Sequence, residues 1–541
     1  MAAAALTTAL GAARRASAQA VLGGGDDATL PAPGQVRARA TPTFTSYGST
    51  FASGTRAGFG SAFSTDSFGP AQLPRLQAAR DTLRAVTGIG GLPLSLGRVQ
   101  VSGYAQTLNI PIGLEVGVTH RLALGLLVPI TRTRTSIAPT VNPGGKDGNF
   151  GLNPANARFT DPTTAATANA ANGRTQATLA AAVTALGNAG AKALADSVQR
   201  FATAMASVYG DGTNPGANAV PLVGSAAQAA VAQRLAQLAA SAQADGVTID
   251  ATAVPYPAQA RIGLSGYRTA VADSSFGVAA SDSLGGGIRG YGIGDVELTA
   301  MYQWLNTFGD ARDARGMARA RTAGGRRIRS TIVAGLRLGT GTSADPGRLL
   351  DTPPATGAYA FLLRSITDVV FNPHLSVSGA MRVVAPLADT RLLRIPASFD
   401  SGYVPLYRER DVGRQLGREV QLELNPRYAT GEAFAIWGQA LIRDRAADRY
   451  TGQYTATSAE TGGAPVTFDA SPLGIGTAQR EARVGLGLSY STMTAWSRGR
   501  SRLPVELSYL HAVTAAGSGG TQPRLSSDVI SLRVYAGLRG R

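Results

Sequence analysis

Between Arg327 and Leu338 the chain reads Arg-Ile-Arg-Ser-Thr-Ile-Val-Ala-Gly-Leu-Arg-Leu, and taking alternate residues divides it into two chemically different sets. Ile328, Ser330, Ile332, Ala334, Leu336 and Leu338 form one; Arg327, Arg329, Thr331, Val333, Gly335 and Arg337 form the other. A two-residue period puts these sets on opposite faces of an extended strand. The stretch before it does the same, with Val296, Leu298, Ala300, Tyr302 and Trp304 set against Asp295, Glu297, Thr299, Met301 and Gln303. One apolar face can pack on a soluble core or meet lipid. A charged opposite face, aromatic ends and about ten residues of alternation together describe a strand that crosses a bilayer as part of a barrel.

Composition narrows the choice further. Charged residues make up 16% of the 541 and mean hydropathy is +0.02, too apolar for a disordered chain. No apolar run reaches the roughly 18–20 residues that a spanning helix requires, so a membrane role falls to strands. Cysteine is absent, which removes disulfides, thiolate chemistry and Cys-bearing metal sites. The net charge of +17 raises nucleic acid as a partner. The arginines, however, are spread over alternate strand positions and turns without a basic helix or stacking platform, so no nucleic acid is expected. Anionic lipopolysaccharide phosphates, in an outer-membrane lipid setting, or a small anionic solute suit that charge better.

In chain order, residues 1–20 have the short apolar centre and small-x-small exit of a secretory signal, with cleavage after Ala18 or Ala20. Arg14 and Arg15 follow the apolar centre instead of preceding it, which leaves an ordinary Ala-rich helix as the alternative. The first barrel strands are expected within 36–134: a weak one at Thr43–Thr55, then a hairpin from Val99 to Val118 that returns through Leu122, Leu124, Leu126, Val128 and Ile130. Leu73, Leu76, Leu83 and Val86 lie at helical spacing and predict a short loop helix. Residues 135–288 lose the alternation and become Ala-rich, with helical spacing at Leu179, Val183, Leu186 and at Val231, Leu235, Leu238. Such small side chains predict weak packing, a helical and flexible loop insertion; a separate soluble domain is the alternative. Alternation resumes over 289–541, with strands near Tyr359–Phe371, His374–Leu387, Glu419–Thr430, Glu432–Asp444, Arg483–Trp496, Leu503–Thr514 and Asp528–Arg539.

The expectation is an all-β fold, an antiparallel transmembrane β-barrel of about twelve strands with a helical insertion in a long extracellular loop. An even count returns both termini to the periplasmic side. Short connections at Thr119, Asn372, Gly431 and Ser497 then fall inside, and long ones at 54–97, 135–288, 342–357, 388–415 and 451–476 fall outside; 307–325 is a long periplasmic exception.

Three segments carry a likeness to a known family: Gly292-Ile-Gly-Asp-Val-Glu-Leu, the hairpin Gly117-Val-Thr-His-Arg-Leu-Ala-Leu-Gly-Leu-Leu-Val-Pro129, and Leu336-Arg-Leu-Gly-Thr-Gly-Thr. Over about 99–134 and 290–390 the chain resembles the outer-membrane channel family associated with phenol meta-cleavage operons. The resemblance implies an outer-membrane protein admitting small hydrophobic or aromatic compounds. The Ala-rich insertion departs from that pattern.

Strand parity places Glu115, Asp295, Glu297, Arg329, Arg337, Arg364, Asp368, Arg382, Glu419, Glu423, Arg427, Arg443, Arg483, Glu506 and Arg533 on inward faces. In a narrow lumen these charges either prop and fill the barrel or tune a polar channel for a small solute. Outward Tyr302, Trp304, Tyr490, Trp496 and Tyr509 read as membrane-interface anchors. No enzyme, metal or cofactor is expected. The three histidines have no companion at ligand spacing, and Gly290-x-Gly-x-Gly-Asp opens a strand with no helix after it. His374 and Ser376 share an inward face and suggest a lipid hydrolase, but no third residue orients the base. Asp26-Asp27 reads as a solvated leader.

Overall fold

The alternating stretches become a wall without an open end. In the computed structural model, which describes residues 27–537 except 53–54, 146, 282–283, 285, 309–326, 352, 354, 373, 399–400, 458–463, 498 and 520, fourteen strand segments join in one sheet. Two pairs of segments are halves of broken strands, so the barrel has twelve. They are β1 (Gln35–Ala40 and Thr43–Tyr47), β2 (Val99–Gly117), β3 (Leu122–Val141), β4 (Gly286–Ile293 and Val296–Asn306), β5 (Arg327–Leu338), β6 (Ala360–Val370), β7 (Leu375–Pro386), β8 (Glu419–Ala429), β9 (Phe434–Arg445), β10 (Gln479–Ser491), β11 (Val505–Ser518) and β12 (Ser526–Gly537). Each pairs antiparallel with its neighbours in sequence, and Gln35 opposite Gly537 closes the last strand onto the first. Pro42, which has no N–H for the ladder, lies at the break in β1. The expected signal at 1–20 and most of the connection at 307–325 lie outside the described residues.

The outward sets are apolar and exposed: Ile332, Leu336, Leu363, Leu422, Leu424, Leu486 and Leu488 all face away from the barrel. Backbone ladders run around the whole wall, and apolar side chains on its outside are stable only where lipid is the solvent. No helix among the described residues is long and apolar enough to cross a membrane.

Three boundaries differ from the sequence reading. β1 begins at Gln35, because Val36, Ala38 and Ala40 alternate with Arg37 and Arg39 in what reads as a spacer. β3 runs on to Val141, past the expected start of the insertion at 135. β10 ends at Ser491, and the chain enters a short helix at Met493–Ser497, so Trp496 lies in the periplasmic turn against Met493 and Tyr535 and not on an outward strand face.

The expectation of weak packing in the insertion is also corrected. Its helices α2 (Pro162–Asn188), α3 (Lys192–Tyr209), α4 (Ala226–Ala244) and α5 (Leu264–Ala272), with α1 (Leu76–Thr87) from the β1–β2 loop, bury one continuous core. Leu83 of α1, Leu179 of α2, Phe201 and Met205 of α3, Leu235 of α4 and Tyr267 of α5 are all but sealed from solvent. Alanine lets these helices approach closely, and large side chains from several loops fill the middle. The Tyr267 and Tyr403 hydroxyls hydrogen-bond at 2.9 Å, and Tyr403 donates to the Phe63 carbonyl at 2.8 Å, fastening three extracellular loops together. Burial pushes the Tyr403 hydroxyl well above the usual tyrosine range, so it stays protonated and keeps donating.

Placing a charge at the middle of the outward face of β5 tests the lipid assignment. Ile332→Arg is expected to destabilise the barrel folded into bilayers by about 2–4 kcal/mol, measured by urea unfolding from vesicles.

Candidate functional site: the barrel lumen

Inward faces of all twelve strands surround a cavity of about 800 Å³. The sequence-derived residues Glu115, Asp295, Glu297, Arg337, Arg364, Arg382, Glu423, Arg443, Arg483 and Arg533 line it. The other five lie elsewhere inside the barrel. Glu419 lines a smaller recess with Arg337, Arg445 and Gln479, and Arg427 and Glu506 line a crevice with Ser489, Ser508 and Arg533. Arg329 and Asp368 form a buried pair at 2.7 Å.

That pair helps to hold something the sequence reading placed in solvent. Asp27 is no solvated leader: residues Asp27–Leu30 are buried within the barrel. Asp27 pairs with Arg533 at 2.7 Å and with Arg37 at 3.7 Å, and Arg37 also pairs with Glu115. The Ala28 N–H donates to Asp368 at 3.1 Å, while Gln303 and Thr331 donate to the Ala28 carbonyl at 2.7 and 2.8 Å. The Ala28 methyl packs on Val333 and Ile366. The segment crosses the periplasmic rim beside Gly117, where a Cβ would overlap the Ala32 carbonyl. Asp26, the other half of the acidic pair, lies outside the described residues.

At the extracellular end a loop folds inward. Asp295, at the break in β4, accepts hydrogen bonds from the Gly341 N–H at 3.1 Å and from Thr356 N and Oγ1 at 3.1 and 2.9 Å. It therefore anchors the β5–β6 loop, whose Pro353, Ala355 and Thr356 border the cavity.

Between floor and mouth the charges form bridges within and between strands. Glu297 accepts from Arg337 at 2.8 Å and Arg382 at 2.9 Å; Glu481 accepts from Arg483 at 2.9 Å and pairs with Arg443 at 3.1 Å. Among the lining residues described, eight arginines face six carboxylates. The lumen is not charged throughout. Trp437, Leu510, Ala512 and Val529 form an apolar wall on the β9, β11 and β12 side. Trp437 fits because β10 carries Gly487 beside it, where a Cβ would lie 2.7 Å from the indole. The buried indole Nε1 has no hydrogen-bond partner among the described residues.

Parity reasoning missed Asp27, Arg37, Arg39, Glu481 and Trp437. Arg37 and Arg39 alternate with small apolar residues and were legible; Glu481 shares the parity of Arg483. Trp437 breaks the polar-inside pattern, and nothing local marks it. Of the outward aromatics, Tyr302, Trp304, Tyr490 and Tyr509 are exposed, and Tyr490 meets Phe434 with centroids 5.0 Å apart. The His374–Ser376 suggestion is overturned: His374 Nδ1 binds the Ala429 carbonyl at 2.8 Å and its ring stacks on outward Tyr428, whereas Ser376 is buried inside.

A closed antiparallel wall, lipid-facing outside and charged inside, defines an outer-membrane β-barrel protein. No protein-family profile and no curated protein matches the chain. Among solved structures it is similar to an outer-membrane channel from Pseudomonas putida F1, at 8% identity over 95% of this chain and 100% of that one, with a TM-score of 0.39. It is also similar to the toluene transporter TbuX of Ralstonia pickettii (9% identity, 97% and 98% covered, TM-score 0.27). The transport unit of the autotransporter AIDA-I from Escherichia coli scores alike (6% identity, 98% and 97% covered, TM-score 0.28). Likeness at this level carries no function to this chain.

Asp27→Asn removes the charge that Arg37 and Arg533 share, and breaking a buried pair from one side costs about 3–5 kcal/mol. The variant is expected to loosen the lumenal segment and lower the stability of the folded barrel, measured by urea unfolding from vesicles.

Proposed function

We propose that this protein is a passive outer-membrane channel for a small amphipathic anion, an aromatic carboxylate being the best fit. The observation that carries this reading is the division of the cavity: arginines outnumber carboxylates, and the Trp437–Leu510–Val529 wall adjoins them. A carboxylate would meet guanidinium groups suited to bind it in two places at once, and a ring would lie against the apolar wall. A volume of about 800 Å³ lies within the range of small-molecule sites. The reading agrees with the resemblance to channels associated with phenol meta-cleavage operons, and adds the acid group that the arginines call for.

A second reading is a structural surface barrel that conducts nothing, favoured by the anchored segment Asp27–Leu30 at the periplasmic end. Planar-bilayer recording separates the two. A channel gives discrete currents that benzoate reduces or carries; a silent, fully folded protein leaves the structural reading standing.

The charge argument has its own test. Arg364→Glu with Arg382→Glu is expected to move the reversal potential in a salt gradient from anion-selective towards cation-selective. Trp437→Ala is expected to weaken benzoate block severalfold while leaving chloride selectivity in place.

A further inference from the structure

We infer that the outward face of β3, just above its apolar band, binds the phosphate of an outer-leaflet lipid A. Counted from the periplasmic turn, the outward residues of β3 are Leu122, Leu124, Leu126, Val128 and Ile130, followed by Arg132 and Arg134. The eight steps from Leu122 to Ile130, at about 3.4 Å each and tilted about 40°, rise roughly 21 Å, close to the height of the lipid-facing band in such barrels. Arg132 therefore stands where hydrocarbon gives way to headgroups. Its neighbours agree: outward β2 runs from Val116 to Leu108 and then turns polar at Gln106, with Tyr104 above, and β12 runs through Leu532 and Ile530 before reaching Asp528.

Arg132 and Arg134 are both exposed, and neither pairs with a carboxylate among the described residues. The outward faces of β1 to β4 carry no Asp or Glu among the described residues, since Glu115, Asp295 and Glu297 all line the lumen. Arg132 lies over the Tyr291 ring, 5.5 Å from its centroid, which steadies the group without neutralising it. Two arginines at i and i+2 on one strand face stand about 7 Å apart at their bases, a spacing that lets both guanidinium forks close on one phosphate. Lipid A supplies phosphate at that depth in the outer leaflet, and β3 offers its acyl chains the column from Leu122 to Ile130. The inference depends on which end of the barrel faces outward and not on what crosses the lumen.

The test uses full-length protein in mild detergent, titrated with bisphosphorylated lipid A. Each basic residue at an anionic lipid surface is worth about 5-fold, so Arg132→Gln with Arg134→Gln is expected to weaken binding about 30-fold. Arg132→Lys with Arg134→Lys keeps the charges but loses the forks and should bind more weakly than wild type and more tightly than the glutamine pair, and Arg121→Gln, at the periplasmic turn, should leave affinity unchanged. Heat-modifiable gel mobility certifies that each variant is folded. Binding by the folded glutamine pair within 2-fold of wild type overturns the site, as does equal binding of dephosphorylated lipid A. Equal competition by phosphatidylglycerol overturns the assignment to lipid A.

Discussion

The structure depends on one constraint: in hydrocarbon a backbone N–H or C=O has only the chain itself to bond with. Helices could meet that demand, but no segment here is long and apolar enough among the described residues, so the sheet must close and leave no edge in the lipid. Closure then dictates the chemistry of each strand. Every residue pointing out is matched by one pointing in, and a ring of twelve strands encloses a space small enough for arginines and carboxylates on neighbouring and facing strands to meet. The bridges at Glu297 and Glu481 follow from that crowding. So does the reach of Asp368 on β6 to the backbone of Ala28.

Buried charge in such a lumen is held by reciprocity. Asp27 is tolerable inside because Arg37 and Arg533 surround it, and those arginines are tolerable because Asp27, Glu115 and Glu506 lie near them. The lumenal segment is thus an electrostatic part of the wall and more than an obstruction resting in it. Asp295 acts similarly at the other end, where its carboxylate at the cavity edge accepts from loop N–H groups. A charged residue on an inward face can therefore be a fastening as readily as a lining.

Alternation was legible wherever the two faces differ in solvent. The strands at Val99, Leu122, Arg327, Ala360 and Glu419 could be read because lipid on one side and polar lumen on the other force a two-residue period. The start of β1 was harder, since alanines on its outward face give a faint apolar signal. Inward apolar residues such as Trp437 and Ile366 were hidden because what makes them acceptable is a partner far away in sequence: Gly487 beside the indole and Ala28 against the isoleucine. The buried Asp27 was unreadable for the same reason, its counter-ion lying at Arg533. The cap was seen as helices but not as a core, because alanine spacing reports helix formation and says nothing about side chains arriving from other loops.

The fastening of Tyr267 to Tyr403 and Phe63 bears on the order of assembly. Tyr403 lies beyond β7, so the core of the insertion is completed by a residue that follows seven of the twelve strands. A chain that stopped before Tyr403 could not close its sheet either, so the residue that completes the extracellular core comes ahead of the strands that remove the last open edge.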